Sequence, residues 1–184
     1  MYLFINTLSA PNIIILFDNN RIIIDSFTWS EKQREFDVLI EQIDRLMSRN
    51  NLPYSELSGI VVVNGPGGFT GTRITTLVAN TLAMSYGIPL YPLSVGQVFE
   101  LIGAPLPWMM PLTKREVLVW IDSDTTQHTC VMKNELPTGT YSSLENIDFE
   151  TAGYTIDHIS DTEKLVNHVC LNNPQTIIHP LYAK

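Results

Sequence analysis

The residues whose types and spacing could best bind a ligand lie in a glycine-rich segment, residues 64–73, with the sequence NGPGGFTGTR. The segment follows an apolar run, residues 59–63, and precedes a long stretch of small and apolar residues. Backbone N–H groups at a helix N-terminus after such a loop can hold a phosphate. A Walker loop, however, needs Gly-Lys before Ser or Thr, whereas Thr72 follows Gly71 here, and a Rossmann loop needs glycine where Thr70 stands. Neither nucleotide fingerprint is present.

A purely structural turn also explains these glycines. Gly65, Gly67 and Gly68 can supply positive φ and close backbone approach, and Thr70 is expected to cap the next helix. We favour the structural turn over an autonomous phosphate site because the segment has neither a lysine nor a metal-binding carboxylate. Arg73 is the charge in this segment that could pair with an acidic partner residue or with a local carboxylate.

Other side chains with catalytic or metal-binding potential are scattered. The four histidines lie in the second half of the chain, and no two have the i, i+4 spacing that places two ligands on one helix face. They are His128, His158, His168 and His179. Ser94 or Ser123 could form a hydrolase set with Asp122 and His128, but no G-x-S-x-G nucleophile elbow supports it. Packed or solvated side chains are the better interpretation, and no metal site is predicted.

The composition indicates a folded protein with an acidic surface. Of its 184 residues, 45% are hydrophobic, which is enough for one substantial core or two small lobes, and the formal charge is −8. Such a surface repels phosphate backbones, so a partner would have to hold most of any RNA substrate. There is no apolar run of about 18 residues and no secretory leader pattern at residues 1–17. We therefore expect a cytoplasmic protein that does not enter membranes.

The elements that must position these residues follow from hydrophobic periodicity. The predicted strands cover residues 3–5, 13–17, 22–24, 59–63, 88–93, 116–122, 129–133 and 176–178. The predicted helices cover residues 31–49, 74–86, 94–101 and 161–171, the third with Ser94 as its N-cap. The pattern is weak between residues 134 and 153. Residues 103–107 are the expected boundary between two lobes, residues 1–102 and 103–184.

Two of these helices carry the candidate interaction residues. Phe36, Ile40, Ile43 and Met47 form one apolar stripe of the first helix, which is more typical of a core than of an interface. Residues 74–86 have almost no charge on any side, so the second helix is expected to be buried on more than one face. Its small residues would be exposed unless another helix covers them. They are Thr72, Thr75, Thr76, Ala79 and Ala83.

Residues 64–74, with the sequence NGPGGFTGTRI, resemble the GPGSFTGLRIG signature of the TsaB family. Ile5-Asn6-Thr7 sits where the family's opening strand reads Ile-Asp-Thr, and Gly87-Ile88-Pro89-Leu90 resembles its Gly-Ile-Pro-Leu strand. Pro180-Leu181-Tyr182 is similar to the family's closing Pro-x-Tyr-Leu-Arg. Two departures are Asn6, which replaces the aspartate, and residues 112–118, which replace the family's Asp-Ala-Arg-x-Gly-Glu-Val-Tyr strand.

This resemblance implies an α/β protein with the two-lobe, actin-like ATPase (ASKHA, RNase H-like) fold and a reduced second lobe. It also implies a non-catalytic subunit that is needed for threonylcarbamoyl transfer to the adenosine next to the tRNA anticodon. Such a subunit would bind and stabilise or activate a TsaD-like catalytic subunit, and a TsaE-like ATPase would join them. The tRNA would be contacted only through the complex. The partners would use ATP and a metal ion, and this chain alone would bind no cofactor.

By the same resemblance, the helices at residues 33–49 and 72–86 would build the partner interface. Its residues would be Phe36, Ile40, Ile43, Met47, Thr72, Arg73, Thr76, Ala79 and Ala83. The sequence leaves open whether the isolated chain forms a homodimer. The alternative function is an independent actin-like-fold ATPase or small-molecule kinase, which would need carboxylates at the end of the first strand to hold Mg²⁺, where Asn6 stands. A third reading is a diverged homodimeric protein outside this pathway.

Overall fold

The structure is a computed structural model, and it describes residues 1–8, 11–30, 35–144, 154–158 and 161–183. The side chains of residues 35–36 and 154–158 are outside this description. The predicted start of the first helix at residues 31–34 therefore lies outside the described residues, as do residues 145–153 of the segment with a weak pattern.

The described residues form two five-stranded sheets and four α-helices. The first sheet contains β1 (Tyr2–Asn6), β2 (Asn12–Phe17), β3 (Ile23–Trp29), β4 (Gly59–Val63) and β5 (Leu90–Leu93), in the order β3-β2-β1-β4-β5. The second contains β6 (Trp108–Pro111), β7 (Glu116–Trp120), β8 (Thr129–Met132), β9 (Gly139–Ser143) and β10 (Tyr154–His158), in the order β10-β9-β6-β7-β8. The helices are α1 (Glu35–Arg49), α2 (Phe69–Tyr86), α3 (Val95–Leu101) and α4 (Thr162–His168).

The first sheet is covered by apolar layers on both faces. Strands β1, β4 and β5 run parallel, and β2 is antiparallel to both β1 and β3. Every residue of β4 is buried, as its unbroken apolar sequence predicts for a strand with no solvent-facing side. Because successive side chains point to opposite faces, Ile60 and Val62 join one core cluster, and Val61 and Val63 join the other.

Helices α1 and α2 cover one face of the first sheet, and the second sheet packs toward the other face. The cluster under α1 and α2 includes Leu39, Ile43 and Val78 with Leu3 of β1. The opposite cluster joins β1 and β4 of the first sheet to α3, α4 and strands β6 and β7 of the second. The apolar core is thus continuous between the two sheets.

An aromatic stack lies at the centre of that shared cluster. Phe99 of α3 is fully buried, and its ring centroid lies 5.3 Å from that of Trp108 and 5.9 Å from that of Trp120. Both indoles also hold loop backbone, since Trp108 Nε1 donates to the Ala104 carbonyl at 2.9 Å and Trp120 Nε1 to the Thr125 carbonyl at 3.3 Å. The stack therefore fixes how the second sheet meets α3.

Most of the sequence-predicted elements are confirmed. Strands β1, β2, β4, β5, β7 and β8 occur where apolar runs predicted them, although β5 begins two residues late. Helix α3 has the predicted N-cap, because Ser94 Oγ accepts from the Gln97 N–H and the Gln97 side chain accepts from the Ser94 N–H. Within the described residues, no helix combines the length and apolarity that crossing a bilayer requires.

Other predictions need correction. Helix α2 begins at Phe69, not at residue 74, because the small residues of its first turn continue the helix instead of breaking it. Strand β3 extends to Trp29, through alternating polar residues that do not form an apolar run. The helix predicted at residues 161–171 ends at His168. No strand forms at 176–178, and the nearest pairing is a single bridge between Gln175, just before this segment, and Leu90 of β5.

Strands β6 and β9 were missed by the sequence prediction. Proline at both edges disguises β6, and β9 has the weakly apolar sequence GTYSS. The lobe boundary after residue 102 stays a prediction. The two sheets fall on either side of it, but residues 175–183 return to the first sheet.

We predict that Phe99→Ala lowers the free energy of unfolding by about 3–5 kcal/mol, because it removes a fully buried ring from the junction between the sheets. Urea unfolding followed by tryptophan fluorescence measures this directly. Ile121→Ala, at a side chain 77% exposed, should change stability by less than about 0.5 kcal/mol. If both variants lowered the free energy of unfolding by the same small amount, the central role of the aromatic stack would be contradicted.

Candidate functional site

The glycine loop joins β4 to α2. Gly65 has a φ of +122°, a conformation that favours glycine, and it supplies the one positive φ among the three glycines predicted to provide it. Gly68, with a φ of −53°, is the N-cap of α2, so this end of the helix has no side-chain cap. Thr70 is therefore not the cap, which corrects the sequence prediction, and it lies exposed in the first turn beside the half-buried Gly71.

The chain's own C-terminal strap, residues 175–183, closes over this loop. The Leu181 N–H donates to the Asn64 carbonyl at 2.7 Å, and Asn64 Nδ2 donates to the His179 carbonyl at 2.9 Å. A Cβ on Gly65 would lie 2.1 Å from the Leu181 carbonyl oxygen. Gly67 is packed less tightly, since its Cβ would make ordinary 3.4 Å contacts with Leu8 and other side chains. Backbone of the strap thus occupies the space next to Gly65.

The strap is also bound to α2. Asn80 Nδ2 donates to the Ile178 carbonyl and the Ile178 N–H donates to Asn80 Oδ1, both at 2.9 Å, so one amide satisfies both backbone groups. The Tyr182 ring stacks on Phe69 with centroids 5.4 Å apart, and the Arg73 guanidinium lies 4.7 Å from the Phe69 centroid. These contacts fix the N-terminal half of α2 against the strap.

Most of the predicted interface side chains face the inside of this chain. Ile43 and Met47 of α1 and Ala79 of α2 are buried in the core cluster under the two helices. The other small residues of α2 are buried as well, which agrees with the expectation that they would be exposed only if no other element covered them. They are Thr72, Thr75, Thr76 and Ala83.

The threonine hydroxyls among these residues are satisfied within the helix. Thr72, Thr75 and Thr76 donate to the carbonyls four residues earlier at 2.8–2.9 Å. Polar atoms that are satisfied in this way can face an apolar core at low cost. The Phe36 side chain lies outside the described residues. Whether the two helices form the partner interface stays a prediction.

The outward face of α2 carries a row of large side chains, which we call the α2 stripe: Phe69, Arg73, Leu77 and Met84. Phe69 is 61% exposed, Leu77 56% and Met84 74%. The spacing of four, four and seven residues places them on one face of the helix. The sequence signal for this face was the near absence of charge in α2, but periodicity alone could not say which apolar residues pointed outward.

A groove lies between α1 and α2. It encloses about 180 Å³, and Ile40, Ile43, Asp44, Tyr54, Leu82 and Tyr86 are among its lining residues. The Tyr54 hydroxyl donates to Asp44 Oδ1, and the Tyr54 and Tyr86 rings stack with centroids 5.1 Å apart. Burial raises the pKa of Tyr54 well above its ordinary value, and the hydrogen bond to Asp44 raises it further. This tyrosine is therefore a neutral hydrogen-bond donor.

The residues considered for catalysis are engaged elsewhere. Asn6 is buried, and its Oδ1 accepts from the Leu8 N–H at 3.0 Å. Asp122 Oδ1 accepts from the Asp124 N–H at 2.9 Å, and the His128 ring lies against Trp120 with centroids 5.3 Å apart. No group of three histidine, cysteine or acidic residues able to hold a metal occurs in the part of the chain that the structure describes.

Comparison with known proteins gives a consistent picture. The TsaD family model, described as tRNA N6-adenosine threonylcarbamoyltransferase, matches residues 31–164. The uncharacterized protein MG208 of Mycoplasma genitalium is 30% identical over 189 residues, which span 94% of this chain and 89% of the relative. The tRNA threonylcarbamoyladenosine biosynthesis protein TsaB of Bacillus subtilis is 32% identical over 81 residues, 44% of this chain and 35% of its own length.

Solved structures show the same fold. YeaZ from Pseudomonas aeruginosa aligns with a TM-score of 0.63 at 15% identity and covers 90% of this chain and 88% of its own. A second structure, of a protein with similarity to peptidase YeaZ from Pseudomonas aeruginosa, aligns with a TM-score of 0.72 at 14% identity and covers 100% and 99%. The fold class is thus the α/β, actin-like ATPase type that the sequence predicted. Within that class the chain belongs to the family described by the TsaD model. The matches to TsaB of Bacillus subtilis and to the YeaZ structures agree with the TsaB-family resemblance seen in the sequence, and they confirm it.

We predict that Gly65→Ala destabilises the chain by more than about 2 kcal/mol, because the new Cβ would combine a positive φ with a backbone clash against the strap. The matched control is Gly68→Ala, where a Cβ meets nothing within 4 Å, with an expected cost below about 1 kcal/mol. Thermal unfolding of both variants measures the difference. Indistinguishable stabilities would mean that the strap does not lie against the loop.

Proposed function

We propose that this chain is a non-catalytic subunit needed for threonylcarbamoyl transfer to the adenosine next to the tRNA anticodon. It binds a TsaD-like catalytic subunit and stabilises or activates it. Membership of the TsaB group supports a role in tRNA threonylcarbamoyladenosine biosynthesis. The observation that carries the proposal is the α2 stripe, an exposed apolar helix face whose other side is already buried in the core.

The physical argument rests on the area that the stripe leaves in water. Phe69, Leu77 and Met84 are each more than half exposed, and full burial of such a side chain is worth about 1.5–3 kcal/mol. Together they offer several kcal/mol to any partner that covers them, on the order of what a stable interface needs from its central residues. Because α1 lies beside α2, a pair of partner helices would complete a four-helix bundle over this face.

Three features support an auxiliary subunit over an enzyme. At the end of β1, Asn6 offers a neutral amide that is already bound to backbone, and a neutral amide holds Mg²⁺ weakly. The strap backbone fills the space next to Gly65, where the phosphate of a loop-bound nucleotide would need room. The formal charge of −8 disfavours gripping tRNA alone. Under this proposal tRNA, ATP and a metal ion are bound by the partners, in the cytoplasm.

The proposal has consequences for assembly. A TsaE-like ATPase would join through the complex and not through this chain alone. Self-association through the same α2 stripe would compete with the TsaD-like partner, because both would bury the same apolar side chains. A homodimer of the isolated chain is therefore compatible with the auxiliary role.

We predict that Leu77→Glu abolishes the complex with the TsaD homologue of the same genome, because a carboxylate would be desolvated in the centre of the interface. Co-expression followed by size-exclusion chromatography measures the complex. The matched control is Ile121→Glu, at a side chain that is 77% exposed just after the end of β7, and this variant should co-elute like the wild type. Ala79→Arg would be a poor test, since Ala79 is fully buried and its replacement would unfold the chain.

Should the wild-type pair fail to co-elute, the auxiliary role would be refuted. If Leu77→Glu binds as well as the wild type, the interface lies outside the α2 stripe, and the auxiliary role is not contradicted. Circular dichroism melts of both glutamate variants establish that the chains remain folded.

The main competitor is an independent ATPase or small-molecule kinase, because a glycine loop does precede the N-terminus of α2. We predict that Mg–ATP at millimolar concentration leaves the melting temperature of the isolated chain unchanged, since the strap covers the loop. Differential scanning fluorimetry, with a phosphate-release assay, tests this. A saturable upward shift with steady hydrolysis would favour the enzyme.

A further inference from the structure

The groove between α1 and α2 is mostly apolar, and its polar lining groups are Asp44, Thr81 and the hydroxyls of Tyr54 and Tyr86. Ile43 and Val78 are buried at its base, and Ile40, Leu82 and Tyr86 contribute further apolar surface. Asp44 is the charged residue among its lining side chains, and it stands on the exposed side of α1. A mostly apolar groove with one carboxylate among its lining residues is therefore present between the two helices.

One oxygen of that carboxylate is used within the chain and the other is available. The Tyr54 hydroxyl donates to Asp44 Oδ1, and no described residue donates to Oδ2. The stacked rings of Tyr54 and Tyr86 form an aromatic wall beside it. A carboxylate next to aromatic faces suits a cation, through an ion pair and through attraction to the ring faces.

We propose that this groove receives a cationic side chain, preferably arginine, from the TsaD-like subunit. Its aliphatic stem would lie along Ile40 and Leu82, as long cationic side chains commonly do on apolar surface, and its head would reach Asp44 Oδ2. Arginine is favoured over lysine because a planar guanidinium stacks on aromatic rings and forms a paired hydrogen bond with a carboxylate. The inference rests on the proposed function and adds the chemistry of the partner.

A purely apolar side chain fits this groove less well. Covering Asp44 with apolar atoms would remove its carboxylate from water without a counter-charge, which is unfavourable. A cationic occupant replaces the lost hydration with an ion pair and still fills the apolar slot. The charge at the mouth of the groove therefore selects against aliphatic residues and for arginine or lysine.

The charge distribution of α1 also disfavours a second copy of this chain as the occupant. Asp44 is the charged residue among the side chains that line the groove, and Arg45, which follows it on α1, is paired with Glu41 at 2.6 Å. In a twofold homodimer through this face, each copy would therefore bring the same carboxylate and no lysine or arginine from its own groove. A partner with a basic rim avoids that repulsion.

The test is Asp44→Asn, which keeps the shape of the side chain and an oxygen that can accept the Tyr54 hydrogen bond. We expect the affinity for the TsaD-like subunit to fall roughly tenfold at low salt, as truncating one partner of an interfacial charge pair commonly does. The difference should shrink as salt is raised, because the ion pair is partly exposed. Asp44→Glu, which keeps the charge, should recover most of the affinity, and Asp122→Asn is the control for an exposed aspartate elsewhere.

Binding is measured by titration calorimetry at two salt concentrations. The inference is overturned if the wild type binds, Leu77→Glu does not, and Asp44→Asn binds with unchanged affinity at both concentrations. Absence of wild-type binding would instead refute the proposed function on which it rests. Reduced self-association of Asp44→Asn with unchanged partner binding would assign the groove to a homodimer and would equally overturn the inference.

Discussion

The burial of β4 on both faces is the constraint on which the rest of this structure depends. A strand of five buried residues needs an apolar layer above and below it. Helices α1 and α2 supply one layer, while α3, α4 and the second sheet supply the other, centred on Phe99. Because the glycine loop follows β4 directly, the same constraint places the start of α2, and with it the α2 stripe, at the edge of the first sheet.

Helix α2 then has to satisfy two environments with one sequence. Its inner face uses threonines whose hydroxyls bond to the preceding turn, together with Ala79 and Ala83, so that the helix lies close to the sheet. Its outer face keeps large apolar side chains in water, which a chain working alone has no reason to maintain. The groove between α1 and α2 adds the Asp44 carboxylate to this side of the chain, and the two features together make up the surface that we propose for the partner.

Much of this fold could be predicted from the sequence because its strands are apolar runs and its helices have clear periodicity. The resemblance of the glycine loop also identified the family. The outward face of α2 was beyond prediction, because a helix that is apolar all round gives no periodic signal to distinguish Ala79 from Leu77. The strap was missed for another reason. Its binding depends on Asn64 and Asn80, whose pairing with residues about a hundred positions away leaves no local pattern.

The strap has a consequence for the order in which the chain can fold during synthesis. Residues 175–183 leave the ribosome after every described strand and helix, yet Ile178 belongs to the core cluster beneath α1 and α2. Until they emerge, the Asn64 carbonyl and the Asn80 amide lack their partners, and a gap remains where Ile178 will pack. The first sheet is thus translated early but completed late, and the surface beside the strap reaches its final packing only after residues 175–183 have emerged.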